Sequence, residues 1–220
     1  PQTDLDCHRK LSVQAVKAVL VYRAPRAGDA PVRLRDEALR RLELLFPGVP
    51  VYSNDAARDS RLRPCEGGPA VSLKHVCADA DVGEAEAVAL CRDFYPLLDV
   101  ELAGEALADH TQYLAHYTYS ENLPAGLLPD FISGELCEQL PPGVDDIRAF
   151  VFKNIEKFDV ELVYRQPDMR QHRLDFSAAT PRSRRLVGEV LDQAPELRYS
   201  DLPDFVRDNA GLLLPYPSYI

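Results

Sequence analysis

The chain has 220 residues, of which 46% are hydrophobic and 27% charged, and its formal net charge is −10 at pH 7. This is the composition of an ordinary globular protein with one large domain or two small ones, and it excludes disordered, collagen-like and membrane-spanning chains. The negative charge argues against nucleic-acid binding, which needs clustered Lys and Arg, whereas a small anion is still compatible with a local basic pocket.

The predicted elements begin with a buried strand over residues 15–22 (AVKAVLVY), which are apolar and rich in β-branched side chains. A loop with Pro and Gly follows over 23–31. Apolar residues at helical spacing over 34–46 predict a helix, and a second strand is predicted over 49–52. Strand, loop, helix and strand in this order predict the repeating unit of a parallel sheet.

Loops and elements alternate through the middle of the chain. Residues 54–69 are polar and rich in Arg, Gly and Pro, which predicts a long surface loop. The run 71–76 is interpreted as a short strand, 85–91 as a buried strand, and the helical spacing over 100–116 as a helix. Further elements are predicted in the next segment: a strand over 117–119, a loop over 122–129 and a short helix over 134–140.

The last third of the chain begins with an amphipathic helix over 145–158, whose apolar side chains, Ile155 and Phe158 included, share one face. A strand is predicted over 160–164 and an extended segment over 173–177. Thr180 is a candidate N-cap with Pro181 at the first helical position. We therefore predict one domain over 13–193, followed by a Pro-containing linker or tail over 194–220 that includes one short helix.

The loop after the first strand carries Arg23, Arg26 and Gly28. Loops that cradle phosphates use several glycines, so that backbone N–H groups can approach the anion, and this loop has one. The two arginines provide positive charge at the same place. The residues leave two interpretations open, an anion site and an ordinary loop.

Asp93 lies just after the predicted strand 85–91, separated from it by Arg92. Ligands of open α/β sheets gather at the carboxyl ends of the strands, which makes Asp93 a candidate metal carboxylate or catalytic residue. The competing interpretation is an Asp that begins the turn at 94–96.

Five arginines farther along form a basic patch that is either a solvated face or a docking surface for an anionic ligand or partner. They are Arg170, Arg173, Arg182, Arg184 and Arg185.

The histidines and cysteines show no pattern of a metal or catalytic site. The five cysteines are odd in number and widely spaced, which predicts a reducing, cytoplasmic compartment and no metal cluster. His110 lies on the apolar stripe of a predicted helix and is interpreted as a residue at the edge of the core. No metal ligands are predicted from spacing.

Three segments, taken in order, resemble one family. Residues 93–102 (DFYPLLDVEL) are similar to its GDxPLIDPELID stretch, 123–131 (LPAGLLPDF) to its YPxGLDxEVF segment, and 174–181 (LDFSAATP) to its LTVDTPED turn. The family is that of the sugar cytidylyltransferases of the spore-coat polysaccharide type. The resemblance implies an α/β fold of the nucleotide-diphospho-sugar transferase (GT-A-like) class, a mixed, mostly parallel sheet flanked by helices.

A closer resemblance within this superfamily is to the N-terminal domain of spirochaete radical SAM proteins with a SPASM domain. It rests on residues 110–119 (HTQYLAHYTY), similar to a HxxYxAxYTF motif that precedes the PxGL segment. The resemblance implies a downstream radical SAM domain as partner and a nucleotide or sugar nucleotide as ligand. It also makes Tyr119 and Gly126 candidate substrate-binding residues, beside Arg23, Arg26 and Gly28.

The departures from the family pattern concern the metal. The resemblance implies Mg²⁺ bound by the Asp of GDxP and the Asp of DTPED, but Asp93 is one residue farther from its Pro and Ala179 replaces the second Asp. Since Mg²⁺ needs carboxylate or phosphate oxygens, loss of one carboxylate disfavours metal-dependent transfer. We expect an accessory or ligand-binding domain without a cofactor; the alternative is an active nucleotidyltransferase that uses Asp93, Mg²⁺ and a nucleotide.

Overall fold

The computed structural model describes residues 16–24 and 27–213. In this part of the chain, seven strands form one sheet: β1 (Val16–Val21), β2 (Val51–Ser53), β3 (Leu62–Pro64), β4 (Ala87–Cys91), β5 (Tyr117–Ser120), β6 (Asp130–Ser133) and β7 (Val160–Val163). The first helices are α1 (Val32–Leu45), α2 (Pro69–Asp79), α3 (Val100–Gln112) and α4 (Gly134–Gln139). The later ones are α5 (Ile147–Lys153), α6 (Pro181–Gln193), α7 (Leu202–Asp208) and α8 (Ala210–Leu213).

The strand order is β3-β2-β1-β4-β6-β5-β7. The pairs β1–β2, β1–β4, β2–β3 and β5–β7 are parallel, whereas β6 runs antiparallel to both of its neighbours, β4 and β5. The mixed, mostly parallel sheet is thus confirmed. Because β6 runs backwards, its first residue, Asp130, lies at the edge of the sheet where the parallel strands end.

Helices cover both faces of the sheet. Apolar side chains of α1, α3, α6 and α7 pack on one face around Phe131, and those of α2, α4 and α5 pack on the other around Tyr117. Strand β4 contributes to both layers because all five of its residues are buried. This double coverage explains why the central strands read as nearly continuous apolar runs in the sequence.

Several predicted elements differ from the structure. The predicted strand over 71–76 is wrong, since these residues lie in α2, where Pro69 takes the first turn and Ala70, Leu73 and Val76 are buried on one side. The predicted extended segment over 173–177 forms no strand and contributes one isolated bridge, between Ala125 and Asp175. Strands β3 and β6 were not predicted. Strand β3 lies within 54–69, which was predicted as a loop from its Arg, Gly and Pro content, and the four residues of β6 are too few to show a period.

Two predicted helices are shorter than expected. Helix α3 ends at Gln112, so Tyr113 and Leu114 are exposed rather than part of the apolar stripe. Helix α5 ends at Lys153 and a 3-10 turn follows, which leaves Ile155 48% exposed although the sequence pattern assigned it to the buried face. Phe158 is buried as expected.

The segment assigned to the linker or tail is partly folded. Leu197, Tyr199, Leu202 and Val206 are buried in the larger apolar layer. The backbone N–H of Tyr199 donates to Oδ2 of Asp99 over 2.8 Å, which ties this segment to the start of α3. The described part of 194–220 therefore belongs to the packed domain, and residues 214–220 lie outside the described part.

Candidate functional site

Polar side chains gather at one edge of the sheet, where β1, β2 and β4 end. Arg23 follows β1, Asn54 and Asp55 follow β2, and Arg92 and Asp93 follow β4. The carboxyl ends of neighbouring parallel strands meet at one edge, which is where open α/β sheets bind their ligands. We take this edge as the candidate site.

Arg23 is the centre of the first cluster at this edge, and it is 5% exposed. Its guanidinium is paired with the carboxylate of Asp55, donates from Nη2 to the Gly28 carbonyl over 2.6 Å, and donates from Nε to Oδ1 of Asp93 over 3.3 Å. Its backbone N–H and C=O both bond to the Asn54 side chain over 2.8 Å. These contacts fix the guanidinium between the ends of three strands.

Asp93 is fully buried beside Arg23. Its Oδ1 also accepts from the Phe94 backbone N–H over 2.7 Å, whereas Oδ2 has no hydrogen-bond partner among the described residues. Burial raises the pKa of Asp93, and this effect exceeds the opposing effects of Arg23, the Phe94 N–H and Arg184. Asp93 is thus a buried carboxyl group beside a guanidinium, and its Oδ2 has no partner among the described residues, a chemically unusual position.

Arg184 reaches the same cluster from the first turn of α6. Its Nη1 donates to the carbonyls of Gly28 over 3.1 Å and of Ala178 over 3.2 Å. Arg184 therefore joins the loop after β1 to the turn before α6. Gly28 leaves room for this side chain, since a Cβ atom at this position would lie 3.1 Å from Nη2 of Arg184.

The turn over 175–180 is held against the end of β4. The Ala178 N–H donates to the Phe94 carbonyl over 2.9 Å. At the start of α6 the Thr180 side chain accepts from the Ser183 N–H, and the Ser183 hydroxyl accepts from the Thr180 N–H, which confirms Thr180 as the N-cap. Ala179 thus lies in a turn that is hydrogen-bonded to Phe94, the residue after Asp93, and its side chain provides only a methyl group.

A second cluster lies at the same edge on the other side of β4. Nη2 of Arg92 is 2.9 Å from Oδ2 of Asp130, and the Tyr117 hydroxyl donates to the same oxygen over 2.6 Å. Tyr119 stacks on Tyr117 with ring centroids 5.3 Å apart, and the Arg148 guanidinium lies 3.9 Å from the Tyr119 ring centroid. This cluster places two guanidinium groups beside a buried pair of stacked tyrosine rings.

The structure brings together part of the predicted site. Arg23, Gly28 and Asp93 form one cluster, whereas Tyr119 belongs to the second cluster, and Arg26 lies outside the described residues. Gly126 borders the turn before α6: its φ is +92°, and a Cβ there would lie 2.4 Å from the backbone carbon of Phe176. A close crossing of two chain segments therefore explains this glycine without a ligand.

Sequence reasoning missed Arg184 as a residue of the site and assigned it to a surface patch. The patch is also partly neutralised, because Arg185 pairs with Glu189 over 2.7 Å and Arg170 with Asp168. Asn54 and Asp55 were missed although they lie just after the predicted strand 49–52. The rule that singled out Asp93 would have found both of them.

Other predictions concern single residues and the membrane. His110 is buried, and its Nδ1 lies 2.8 Å from the Thr118 hydroxyl, which confirms it as a hydrogen-bonded core residue. In the described ranges, no group of three or more His, Cys, Asp and Glu residues has the geometry of a metal site. No helix among the same residues has the length and hydrophobicity to cross a membrane.

Comparison with solved structures supports the fold. A cytidylyltransferase from Leptospira borgpetersenii superposes with a TM-score of 0.74 at 14% identity, and the match covers 94% of this chain and 99% of that one. A 4-diphosphocytidyl-2C-methyl-D-erythritol synthase superposes with a TM-score of 0.56 at 12% identity, over 80% of this chain and all of that one. No protein-family model and no curated protein matches the sequence. The chain thus has the fold of cytidylyltransferases.

Proposed function

We propose that this chain is a nucleotidyltransferase-type domain that binds a phosphate-containing ligand of the nucleotide or sugar-nucleotide class and does not catalyse metal-dependent transfer. The observation that carries the proposal is the pairing of the buried Asp93 carboxyl with Arg23, at the strand end where a metal carboxylate would be needed. The shared fold supports the ligand class, and the geometry of the cluster supports the loss of transfer.

The residues present do not fit a Mg²⁺ ion. Mg²⁺ takes an octahedral shell of oxygens, and nucleotidyl transfer uses its charge to neutralise the phosphates. Here Oδ1 of Asp93 is already bonded to Arg23, Arg184 adds a second positive charge nearby, and Ala179 has no oxygen in its side chain. A divalent cation would be repelled by both guanidinium groups, and Oδ2 is the one Asp93 oxygen that no described residue hydrogen-bonds.

The same arginines suit an anionic ligand. Only Nη1 of Arg184 is used in hydrogen bonds to the described residues, so Nε and Nη2 still have donors available for a phosphate oxygen. A guanidinium held by carbonyl oxygens is oriented in advance, which lowers the entropic cost of binding. In this proposal Arg184 supplies part of the positive charge that a metal ion would otherwise bring.

The test is a calorimetric titration of the purified chain with CTP, with Mg²⁺ and with EDTA in its place. We expect binding with the same Kd in both buffers and no pyrophosphate release when a sugar phosphate is added. Arg184→Gln should weaken binding by about tenfold or more, because a hydrogen bond to a charged group is worth roughly 1.5–3 kcal/mol. Arg185→Gln, on the same helix and paired with Glu189, is the matched control and should leave Kd unchanged.

Two outcomes would contradict the proposal. Pyrophosphate release that depends on Mg²⁺ would establish an active nucleotidyltransferase that uses Asp93 in a rearranged site. Absence of binding to CTP and to the other nucleoside triphosphates, with and without metal, would leave a domain that acts only through protein contacts.

We also propose that the chain is an accessory domain of a larger protein that contains a radical SAM domain. The support is the resemblance of residues 110–119 to the motif of such proteins, and these residues include the second cluster's Tyr117 and Tyr119. The test is the coding sequence beyond Ile220. A CxxxCxxC motif there would support the proposal, and a stop codon would contradict it.

A further inference from the structure

Strand β7 is an edge strand, the last in the strand order of the sheet, and among the described residues it pairs only with β5. The N–H groups of His116 and Tyr117 donate to the Asp159 carbonyl over 2.8 and 3.3 Å, and the Arg165 N–H donates to Oδ1 of Asn122 over 3.2 Å. Odd-numbered residues of this segment thus direct their backbone groups towards β5. Because these directions alternate along a strand, those of the even-numbered residues, such as Leu162, point to the open side.

The side chains along this edge are apolar and exposed. We define the β7 edge patch as Phe152, Ile155, Leu162 and Tyr164, which are between 42% and 48% exposed. The patch is continuous with the second cluster, since Leu162 is in register with Tyr119 and Phe152 packs edge-on against the Tyr119 ring. An open strand edge beside exposed apolar side chains is a template for pairing with another strand.

Charges at the two ends of β7 specify which strand would fit. When two copies of β7 pair antiparallel about a two-fold axis at Leu162, Asp159 of each copy lies opposite Arg165 of the other. The Asp159 side chain is 85% exposed. The Arg165 side chain is 32% exposed, and its Nη2 lies 3.0 Å from Oε2 of Glu105. Directly opposed residues of opposite charge stabilise an antiparallel pair. In a parallel, in-register pair of two copies each charged residue would instead lie beside its own copy.

We propose that β7 pairs antiparallel with β7 of a second copy of this chain, so that two seven-stranded sheets form one continuous sheet. Leu162 lies at the two-fold axis, and the β7 edge patches of the two copies bury each other. An isologous interface of this kind closes after two copies and leaves no free β7 edge for further growth. The inference does not depend on the ligand proposed above.

The test is the mass of the purified 220-residue chain in solution, measured by light scattering and sedimentation from about 1 to about 200 µM, the range of weak homodimers. We expect a dimer that Leu162→Lys converts to a monomer, since two like charges would then meet at the two-fold axis. Leu44→Lys is the matched control: Leu44 is a 57% exposed leucine on α1, and its substitution should leave the dimer intact. Circular dichroism and melting temperature verify that each variant is folded.

A charge exchange tests the register without disturbing apolar contacts. Asp159→Arg should raise the dimer Kd about tenfold by placing like charges opposite each other. Adding Arg165→Asp to the same chain should restore the dimer, although Arg165→Asp also removes the contact with Glu105. If Leu162→Lys fails to fold, this pair of variants decides alone.

The proposal is overturned by a wild-type chain that is monomeric over the whole range, or by a dimer that tolerates both Leu162→Lys and Asp159→Arg. A monomer whose Leu162 amide is protected from hydrogen exchange would also overturn it, because another part of the same chain would then cover the edge. A dimer in which the charge exchange gives no recovery would reject the antiparallel register.

Discussion

Two arginine–aspartate pairs meet at the end of β4, where neighbouring residues contribute to opposite clusters. Asp93 pairs with Arg23, and both are buried, at 0% and 5% exposure. Arg92 pairs with Asp130, with 48% and 17% of their side chains exposed. Two guanidinium–carboxylate pairs that involve adjacent residues of the chain therefore lie in surroundings of different polarity.

The difference separates an internal ion pair from a surface that water and ligands can reach. In the buried pair the charges have lost their hydration, and removal of one partner leaves an uncompensated charge in an apolar setting. In the exposed pair, water replaces a lost partner, and Arg92 can turn towards an anion at little cost. The buried pair thus secures the ends of the strands, while the exposed pair and Arg184 are suited to contact a ligand.

The largest expected effect comes from breaking the buried pair. Arg23→Met should lower the free energy of unfolding by about 3–5 kcal/mol, because it leaves Asp93 and Asp55 without their common cation. The corresponding substitution in the exposed pair, Arg92→Met, should cost less than about 1 kcal/mol. Urea denaturation of both variants at neutral pH measures the difference. Equal losses in the two variants would show that burial does not distinguish the two pairs.

A smaller loss of stability is expected at Gly126, where two segments of the chain cross closely. Gly126→Ala should destabilise the protein by roughly 1–3 kcal/mol, the cost of holding a side chain at strained φ. The φ of +92° and the 2.4 Å approach of a Cβ to Phe176 are the reasons. Gly104→Ala is the control, since nothing lies within 4 Å of a Cβ there and alanine favours the helix. A neutral Gly126→Ala variant would reject the packing account of this glycine.

The comparison also indicates what the sequence could predict. The unit β1–α1–β2 and strand β4 were predicted because long periodic or uniformly apolar runs depend on local pattern alone. The interval of about three residues between Ala70, Leu73 and Val76 was missed within a short apolar run, so α2 was taken for a strand. The four residues of β6 follow Pro129 and lead directly into α4, and such a short segment has too few residues to show a period.

The site was predicted to the extent that it follows from strand ends. Asp93 was found because it is the second residue after a strand, and Arg23 because it is the second residue after another. Their mutual contact over 3.3 Å joins residues 70 positions apart, and it depends on the order of β1 and β4 in the sheet. Arg184 could not be found from its helix, since whether it points to solvent or to Gly28 is decided by how α6 packs.

The smallest expected effect at any single pH, and the most specific one, concerns Asp93→Asn. At neutral pH the amide removes a buried negative charge but leaves Arg23 with Asp55 as its one ionic partner among the described residues, so the two effects oppose each other. The pKa of Asp93 is raised above its ordinary value of 3.8 because burial exceeds the attraction of Arg23. The Asp93 carboxyl therefore binds its proton more tightly in the folded state than in the unfolded state.

The stability that this proton contributes is complete below the ordinary pKa and is lost as the pH rises through the raised one. Asp93→Asn cannot titrate and lacks this loss, so the wild type should become less stable relative to the variant as the pH rises from 3.8 towards neutrality. Urea denaturation of both proteins across this range measures the change. Parallel curves would contradict a raised pKa, and a relative gain for the wild type with rising pH would mean that Arg23 outweighs burial. The sign of the change in relative stability with pH therefore decides whether burial or the attraction of Arg23 dominates the ionisation of Asp93.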